Sequence, residues 1–360
     1  MTVDAPKQVA PAGSGRVRVP YFDNARFCTI ALVVIGHSIQ RLTDDSTHAL
    51  ALYLFIYAFH MPAFAIISGY FSRAAPAQRQ MRAVLTDILL PYVILQIIWT
   101  VVQGFVENDW GLNFTRPHWT LWFLIALALF RIALPYLALL RWPLLWAVIA
   151  SVGVGYLDNV NTTMSLTRAV GFLPFFVLGW VVAQGNLVEK WQNLAARAWL
   201  VRAVAAAILV AWLIVIIVNI DAFRDFGLNT WFFYEDSYSR LHMDSAWAGG
   251  IRIGTLALGT VLCAAYFALI PRRQTIFTVF GQATMYVYLL HTFVLYPIRK
   301  SELLRDQSSD LWLAGLVVFA IALTVLLSTG VVRRVFRWVI EPRIPWLFTP
   351  PAEAPPESPR

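Results

Sequence analysis

Charge is scarce in this chain. Only 13% of its 360 residues are Asp, Glu, Lys or Arg, against 59% hydrophobic, and no stretch between the apolar runs could hold a large soluble domain. Soluble globular domains carry about 25% charged residues, so the shortage excludes one and points to a polytopic membrane protein. Cysteine is scarcer still. Cys28 and Cys263 both fall inside apolar runs, and no disulfide framework is implied. Also missing are a Gly-rich phosphate loop with Lys, a dinucleotide fingerprint, a zinc-type histidine pair at helical spacing and a paired-cysteine motif. No metal is therefore expected. The chain shows no convincing internal repeat, which weakens an inverted-repeat transporter reading.

What is present is a succession of long apolar windows. Ten can be drawn, at roughly 22–42, 49–71, 84–106, 119–140, 142–157, 168–184, 203–220, 247–270, 275–296 and 311–329. They predict an all-α polytopic membrane protein of about ten transmembrane helices over 21–346. The polar segment 1–20 and the proline-rich tail 347–360 are expected to be disordered and cytoplasmic. With the N-terminus and the C-terminus in the cytoplasm, 19 of the 28 Lys and Arg lie inside and 13 of the 20 Asp and Glu outside. That satisfies the positive-inside rule. The net charge of +8 then reads as a topology signal and not as a nucleic-acid footprint.

Polar residues inside the windows are the next signal, because ionisable groups at membrane depth are costly and mark functional paths. Arg26 and His37 lie eleven positions apart in the first window. In a helix that spacing is about 20° past three full turns, so the two share one face about 16 Å apart. In the second window Phe59-His60-Met61-Pro62 predicts a kink at His60, since proline frees a backbone carbonyl. His37 and His60 are both expected in the middle third of the bilayer. His60 either serves the site or makes a structural hydrogen bond between helices. Leu90-Pro91-Tyr92 predicts a second break, with Asp87 one turn before it as a candidate partner for Arg82 or Arg26.

The inner loop after Ser72 carries Arg73, Arg79 and Arg82. Three arginines there suit a phosphate-rich ligand, through bidentate guanidinium contacts, and equally suit plain positive-inside topology. On the outer side, Trp119 is expected as an interfacial anchor, with His118 merely adjacent and Trp122 following. Arg168 and Arg252 stand against the charge bias; each either meets a polar acceptor or snorkels. The outer loop 221–246 mixes Trp231, Phe232, Phe233 and Tyr234 with Glu235, Asp236 and Asp244. Such a mixture suits a sugar-binding surface or an interfacial lid. His291 closes the sequence Tyr288-Leu-Leu-His291 near the outer end of the ninth window.

Taken in order, these stretches resemble the acyltransferase-three family of integral membrane O-acyltransferases. The likeness rests on the Arg26-to-His37 spacing, Ser68-Gly69-Tyr70-Phe71, Arg79 and Arg82, Pro91-Tyr92, Trp122-Phe123-Leu124, Phe175 to Gly179, and Tyr288 to His291. Phe59-His60-Met61-Pro62 and Arg168 with Pro174 look like the fucose 4-O-acetylase branch. The resemblance implies a bacterial cytoplasmic-membrane enzyme that moves an acyl group, commonly acetyl, from cytoplasmic acyl-CoA to a hydroxyl of a glycan or other acceptor. It implies that His37 and Arg26 are the essential pair. His37 would be the general base or an acyl-accepting nucleophile. His60 would orient it or donate to the oxyanion, and Arg26 with Arg73, Arg79 and Arg82 would hold CoA. Arg168, Trp122, His291 and Arg252 are expected on the acceptor side. Relatives often carry inner-loop arginines two apart, whereas Arg79 and Arg82 are three apart. The expected partners are acyl-CoA, the hydroxyl acceptor and membrane lipids; a proton-coupled transporter or flippase is the competing class.

Overall fold

A computed structural model describes residues 19–160, 163–194, 198–243, 245–344, 346 and 348. The two ends expected to be disordered, 1–20 and 347–360, lie outside the described residues apart from Val19, Pro20 and Phe348. Among the described residues there are helices and turns and no strand.

The first apolar window forms α1 (Pro20–Ile39), opened by a proline whose fixed φ suits the first helical position. The chain then tightens into a 3-10 turn at Gln40–Thr43. The second window is broken as its proline requires. It forms α2 (Thr47–Tyr57), capped by Ser46, and α3 (His60–Tyr70), with Phe59 at φ −143° between them. Next come α4 (Gln78–Val84) and α5 (Leu90–Glu107), joined by a π-helical turn at Leu85–Leu89 just before Pro91. Such turns relieve a disturbed hydrogen-bond ladder and occur often at functional sites. A hairpin of α6 (Trp122–Leu137) and α7 (Pro143–Val154) leads to α8 (Leu166–Gln184). A short α9 (Leu187–Asn193) precedes α10 (Ala198–Val218). The segment after α10 folds into α11 (Ile220–Asp225) and α12 (Leu228–Phe233) before α13 (Trp247–Leu269). The last three helices are α14 (Thr284–Lys300), α15 (Asp310–Leu327) and α16 (Gly330–Ile340).

All ten apolar windows fall on helices. Seven helical segments are long and apolar enough to cross a membrane: Thr47–Tyr70, Gln78–Glu107, Trp119–Leu137, Thr163–Gln184, Ala198–Val218, Trp247–Leu269 and Asp310–Leu327. Charge-bearing α1 and α14 and the 12-residue α7 fall outside that set. The chain is thus a multi-pass membrane protein. Two boundaries differ from expectation. The ninth window starts as a 3-10 turn at Thr278–Ala283 and its helix runs on to Lys300. The α16 helix, with Arg333, Arg334 and Arg337 among Val and Trp, lies beyond the last window.

Burial sorts these segments by role. In Thr47–Tyr70, 89% of the apolar window is buried against other helices, whereas in α10 the share is 11%. The first is the centre of the bundle and the second its lipid-facing wall. The tightest crossing joins α3 to α8. A Cβ on Gly69 would stand 1.8 Å from the Phe176 carbonyl oxygen, and one on Gly179 2.0 Å from that of Ile66. Only glycine at both places lets the two backbones touch. Two stretches that carried the family resemblance are therefore the two halves of one contact.

Candidate active site

A cavity of about 350 Å³ opens beside the end of α1, and His37 is on its wall. His37 lies in the last turn of α1, because the window's outer end is spent on the 3-10 turn and not on further helix. Its Nδ1 is 3.5 Å from the Tyr57 hydroxyl, and Tyr53 stacks on Tyr57 with ring centroids 3.8 Å apart. The Trp119 ring meets His37 edge to face at 5.5 Å, and the His291 ring lies 5.4 Å away.

His60 reaches the same cavity from the first position of α3, the place the kink sets. Its Nδ1 is 2.9 Å from the Ile56 carbonyl oxygen. A carbonyl only accepts, so Nδ1 carries the proton and Nε2 of the neutral ring is a lone pair. Its ring neighbour in the site is Tyr57, at 4.5 Å, which also meets His37. His291 is fully buried and donates from Nδ1 to Val287 O at 2.9 Å, while its Nε2 has no partner among the described residues. Thr120 Oγ1 and Gln40 Oε1, on residues lining the cavity, are also buried without a partner. Buried polar atoms left open beside a cavity are what a bound polar ligand would satisfy.

Arg168 forms the opposite wall. It donates from Nε to Phe233 O at 3.1 Å and from Nη2 to Glu235 at 2.5 Å, and it lies 4.5 Å over the Trp122 ring. It is thus held by the 221–246 loop. Trp119 takes part in the site and is more than a belt residue. Its φ of +35° is a sparsely populated conformation for an aromatic residue. The preceding His118 fixes it by donating its backbone N–H to Gln96 Oε1 at 3.1 Å. Burial holds the His118 imidazole below its ordinary value, opposed by the nearby Asp109 carboxylate.

Arg252 is not brought to this cavity. It is fully buried on α13 with its guanidinium 4.8 Å over Tyr234 and 5.5 Å over Tyr238, behind the loop that carries Glu235. Its full burial excludes snorkelling.

A second cavity, about 940 Å³, lies among the α3–α4 loop, the π-turn and the end of α6. Arg73 and Arg82 line it, as do Phe71, Tyr136 and Phe348; Arg79 does not. Arg131 is a third cationic residue on its wall. Arg26 lies 4.6 Å over the Phe71 ring and bonds Asp23 at 3.2 Å, so Asp23 is its carboxylate partner, while Asp87 accepts from Thr86 at 2.6 Å. Between Arg26 and His37 on α1, Ile30, Val33 and Val34 are all buried. The helix therefore runs from Arg26, which lies over the cavity-wall Phe71, to His37 in the other cavity along a dry aliphatic face.

The helical bundle is that of a multi-pass membrane protein, and its sequence identifies the class. Residues 19–331 match the acyltransferase-three family, described as Acyltransferase domain, and the chain belongs to that family. Among curated proteins it is similar to two proteins named Nodulation protein NolL. The one from Mesorhizobium japonicum is 26% identical over 341 residues, 88% of this chain and 85% of that protein. The one from Sinorhizobium fredii is 23% identical over 317 residues, 81% and 80% of the two chains. No solved structure shows a significant match.

Proposed function

We propose that this chain is a bacterial inner-membrane O-acyltransferase. It takes an acyl group, in the first instance acetyl, from cytoplasmic acyl-CoA and places it on a hydroxyl of a glycan or glycan-like acceptor arriving from the other face. The observation that carries the reading is the pair of cavities, one lined by Arg73, Arg82 and Arg131 and the other by His37, with α1 touching the first through Arg26 over Phe71. It accompanies a topology of ten spans with both termini in the cytoplasm. The charge census then puts the Arg73 and Arg82 cavity inside and the His37 cavity outside.

In this reading Arg73, Arg82 and Arg131 hold the phosphates of CoA, for which planar guanidinium forks are suited. Arg79 contributes only long-range charge, and Arg26 guides the pantetheine arm along α1. At the far end His37 either removes the hydroxyl proton directly or first accepts the acyl group. For direct transfer, His37 Nδ1–H donates to the Tyr57 oxygen, leaving Nε2 as the base. The hydroxyl oxygen forms the ester bond, the carbon–sulfur bond breaks, and the proton taken by His37 ends on the CoA thiol. His60 holds Tyr57 in place. His291 Nε2 accepts a hydrogen bond from the acceptor, and Arg168 and Trp122 bound the acceptor side.

The test uses inverted membrane vesicles supplied with radiolabelled acetyl-CoA. Wild type should place base-labile label in the envelope glycan fraction, and His37→Ala should not. Equal labelling in both would overturn the reading, and transport of a solute without CoA release would favour a transporter. Single cysteines in the 72–83 and 221–246 loops, in a background lacking Cys28 and Cys263, test the topology. Labelling of the first loop but not the second by an impermeant reagent on intact cells would invert it.

A further inference from the structure

We propose that a vestibule at the mouth of the His37 cavity binds an oxyanion, a phosphate or carboxylate, carried by the acceptor. The proposal rests on the O-acyltransferase reading and adds a substrate class to it. The vestibule, about 340 Å³, shares Gln40, Tyr53, Phe233 and Arg299 with the His37 cavity, so the two adjoin. Its charged lining is Arg41, Arg299, Lys300 and one acid, Asp44.

Their ion pairs single out one cation. Arg41 is 3.8 Å from Asp44, and Lys300 is 2.7 Å from Glu107. Arg299 makes no ion pair among the described residues; its guanidinium lies 5.0 Å over the Trp119 ring, the ring that meets His37 at 5.5 Å. Stacking on an indole holds the planar fork in place while its N–H edge stays open to a ligand. Gln40 adds a second sign. Its buried amide oxygen has no partner, and turning the amide over would present an N–H₂ donor instead.

The location sharpens the argument. The side of the protein assigned to the exterior carries 13 acids and only nine of the 28 basic residues. Three of those nine line the vestibule and a fourth, Arg168, lines the adjoining cavity. A neutral sugar is held by carboxylates, amides and ring faces; gathered guanidinium groups match carboxylate and phosphate oxygens bidentately. With the Trp119 ring between Arg299 and His37, the anion would sit about one ring removed from the hydroxyl that is acylated. An acidic sugar and a sugar linked to a lipid through diphosphate both present that chemistry.

The test reads anion binding and not acyl transfer, so it stands or falls separately from the enzyme assay. Wild-type protein labelled with 5-fluorotryptophan, in nanodiscs of zwitterionic lipid, is titrated with pyrophosphate, glucuronate and glucose. The fluorine resonance of Trp119 is assigned with Trp119→Phe. Pyrophosphate or glucuronate should shift that resonance saturably and glucose should not; the stronger anion identifies phosphate or carboxylate as the source. Arg299→Gln should weaken anion binding about tenfold or more, in line with loss of a charge-assisted hydrogen bond, and Arg299→Lys should recover part of it. A response to glucose equal to that of the anions, or no response to either anion, would overturn the proposal. So would unchanged binding in Arg299→Gln. If that variant fails to fold, the wild-type comparison of anions with glucose still decides.

Discussion

The two cavities are built from opposite materials. The inner one is large, and its walls are a loop, a short helix, a π-turn and the end of α6, with exposed Met81 and Leu85 among them. The other is less than half that volume and is closed by buried aromatics and the buried His60. Loose walls suit a donor whose long arm must enter and leave; a closed, aromatic wall suits a step that needs reactants fixed within hydrogen-bond reach. Binding should therefore be spread over several inner residues, and turnover concentrated in few outer ones.

The largest expected effect is at His37. His37→Ala should remove measurable acyl transfer while the protein still purifies as a folded species, judged by size-exclusion chromatography and acetyl-CoA binding. Retained turnover in a well-folded variant would erase the distinction between the cavities. Next is the Arg168–Glu235 pair. Glu235→Gln keeps the shape but loses the charge, and kcat/KM should fall about tenfold, as for a lost charge-assisted hydrogen bond. The inner cavity should respond differently. Replacing Arg73 and Arg82 together with alanine should raise KM for acyl-CoA by about tenfold with kcat nearly unchanged, because lost uniform binding appears in KM. Arg79→Ala, outside the lining, should stay within about twofold of wild type; a KM effect as large as the double variant's would move the donor site toward Arg79.

The smallest effect is in pH. Burial lowers the His118 pKa, so the folded protein favours the neutral ring. The stability this gives is complete above the ordinary imidazole value of about 6.5 and is lost as pH falls toward the folded pKa. Melting temperature should decline over that acid range, and His118→Gln should flatten the decline. An unchanged slope would mean that the Trp119 turn does not depend on a neutral His118.

Much of this arrangement was legible from the chain. Apolar windows found every long helix, because a bilayer demands one apolar stretch per crossing. The Phe59-to-Pro62 break was legible too, since proline acts locally. Trp119 was read as a belt anchor because a site tryptophan and a belt tryptophan share the same local pattern. Its positive φ and the Gln96 contact come from tertiary structure. Arg252 was flagged by the right rule, a cation on the acid-rich side, but the answer was two tyrosine faces from a distant loop. The same rule applies to Arg299 and was not used there, although that residue proves to line the cavity. Tyr57 carried no signal, being one aromatic among many.

The paired glycines Gly69 and Gly179 have a consequence for how new specificities could arise. They weld α3, which carries His60, to α8, which carries Arg168, at backbone contact, so neither helix can shift or accept a bulkier neighbour there without parting from the other. A protein so fastened cannot be retuned by sliding its helices. Divergence toward another acceptor, in nature or in directed evolution, must then be written into the rim: the 228–241 segment, the Trp119 turn and the end of α14. Libraries confined to that rim should yield altered acceptors, while those aimed at the weld should yield mostly unfolded protein.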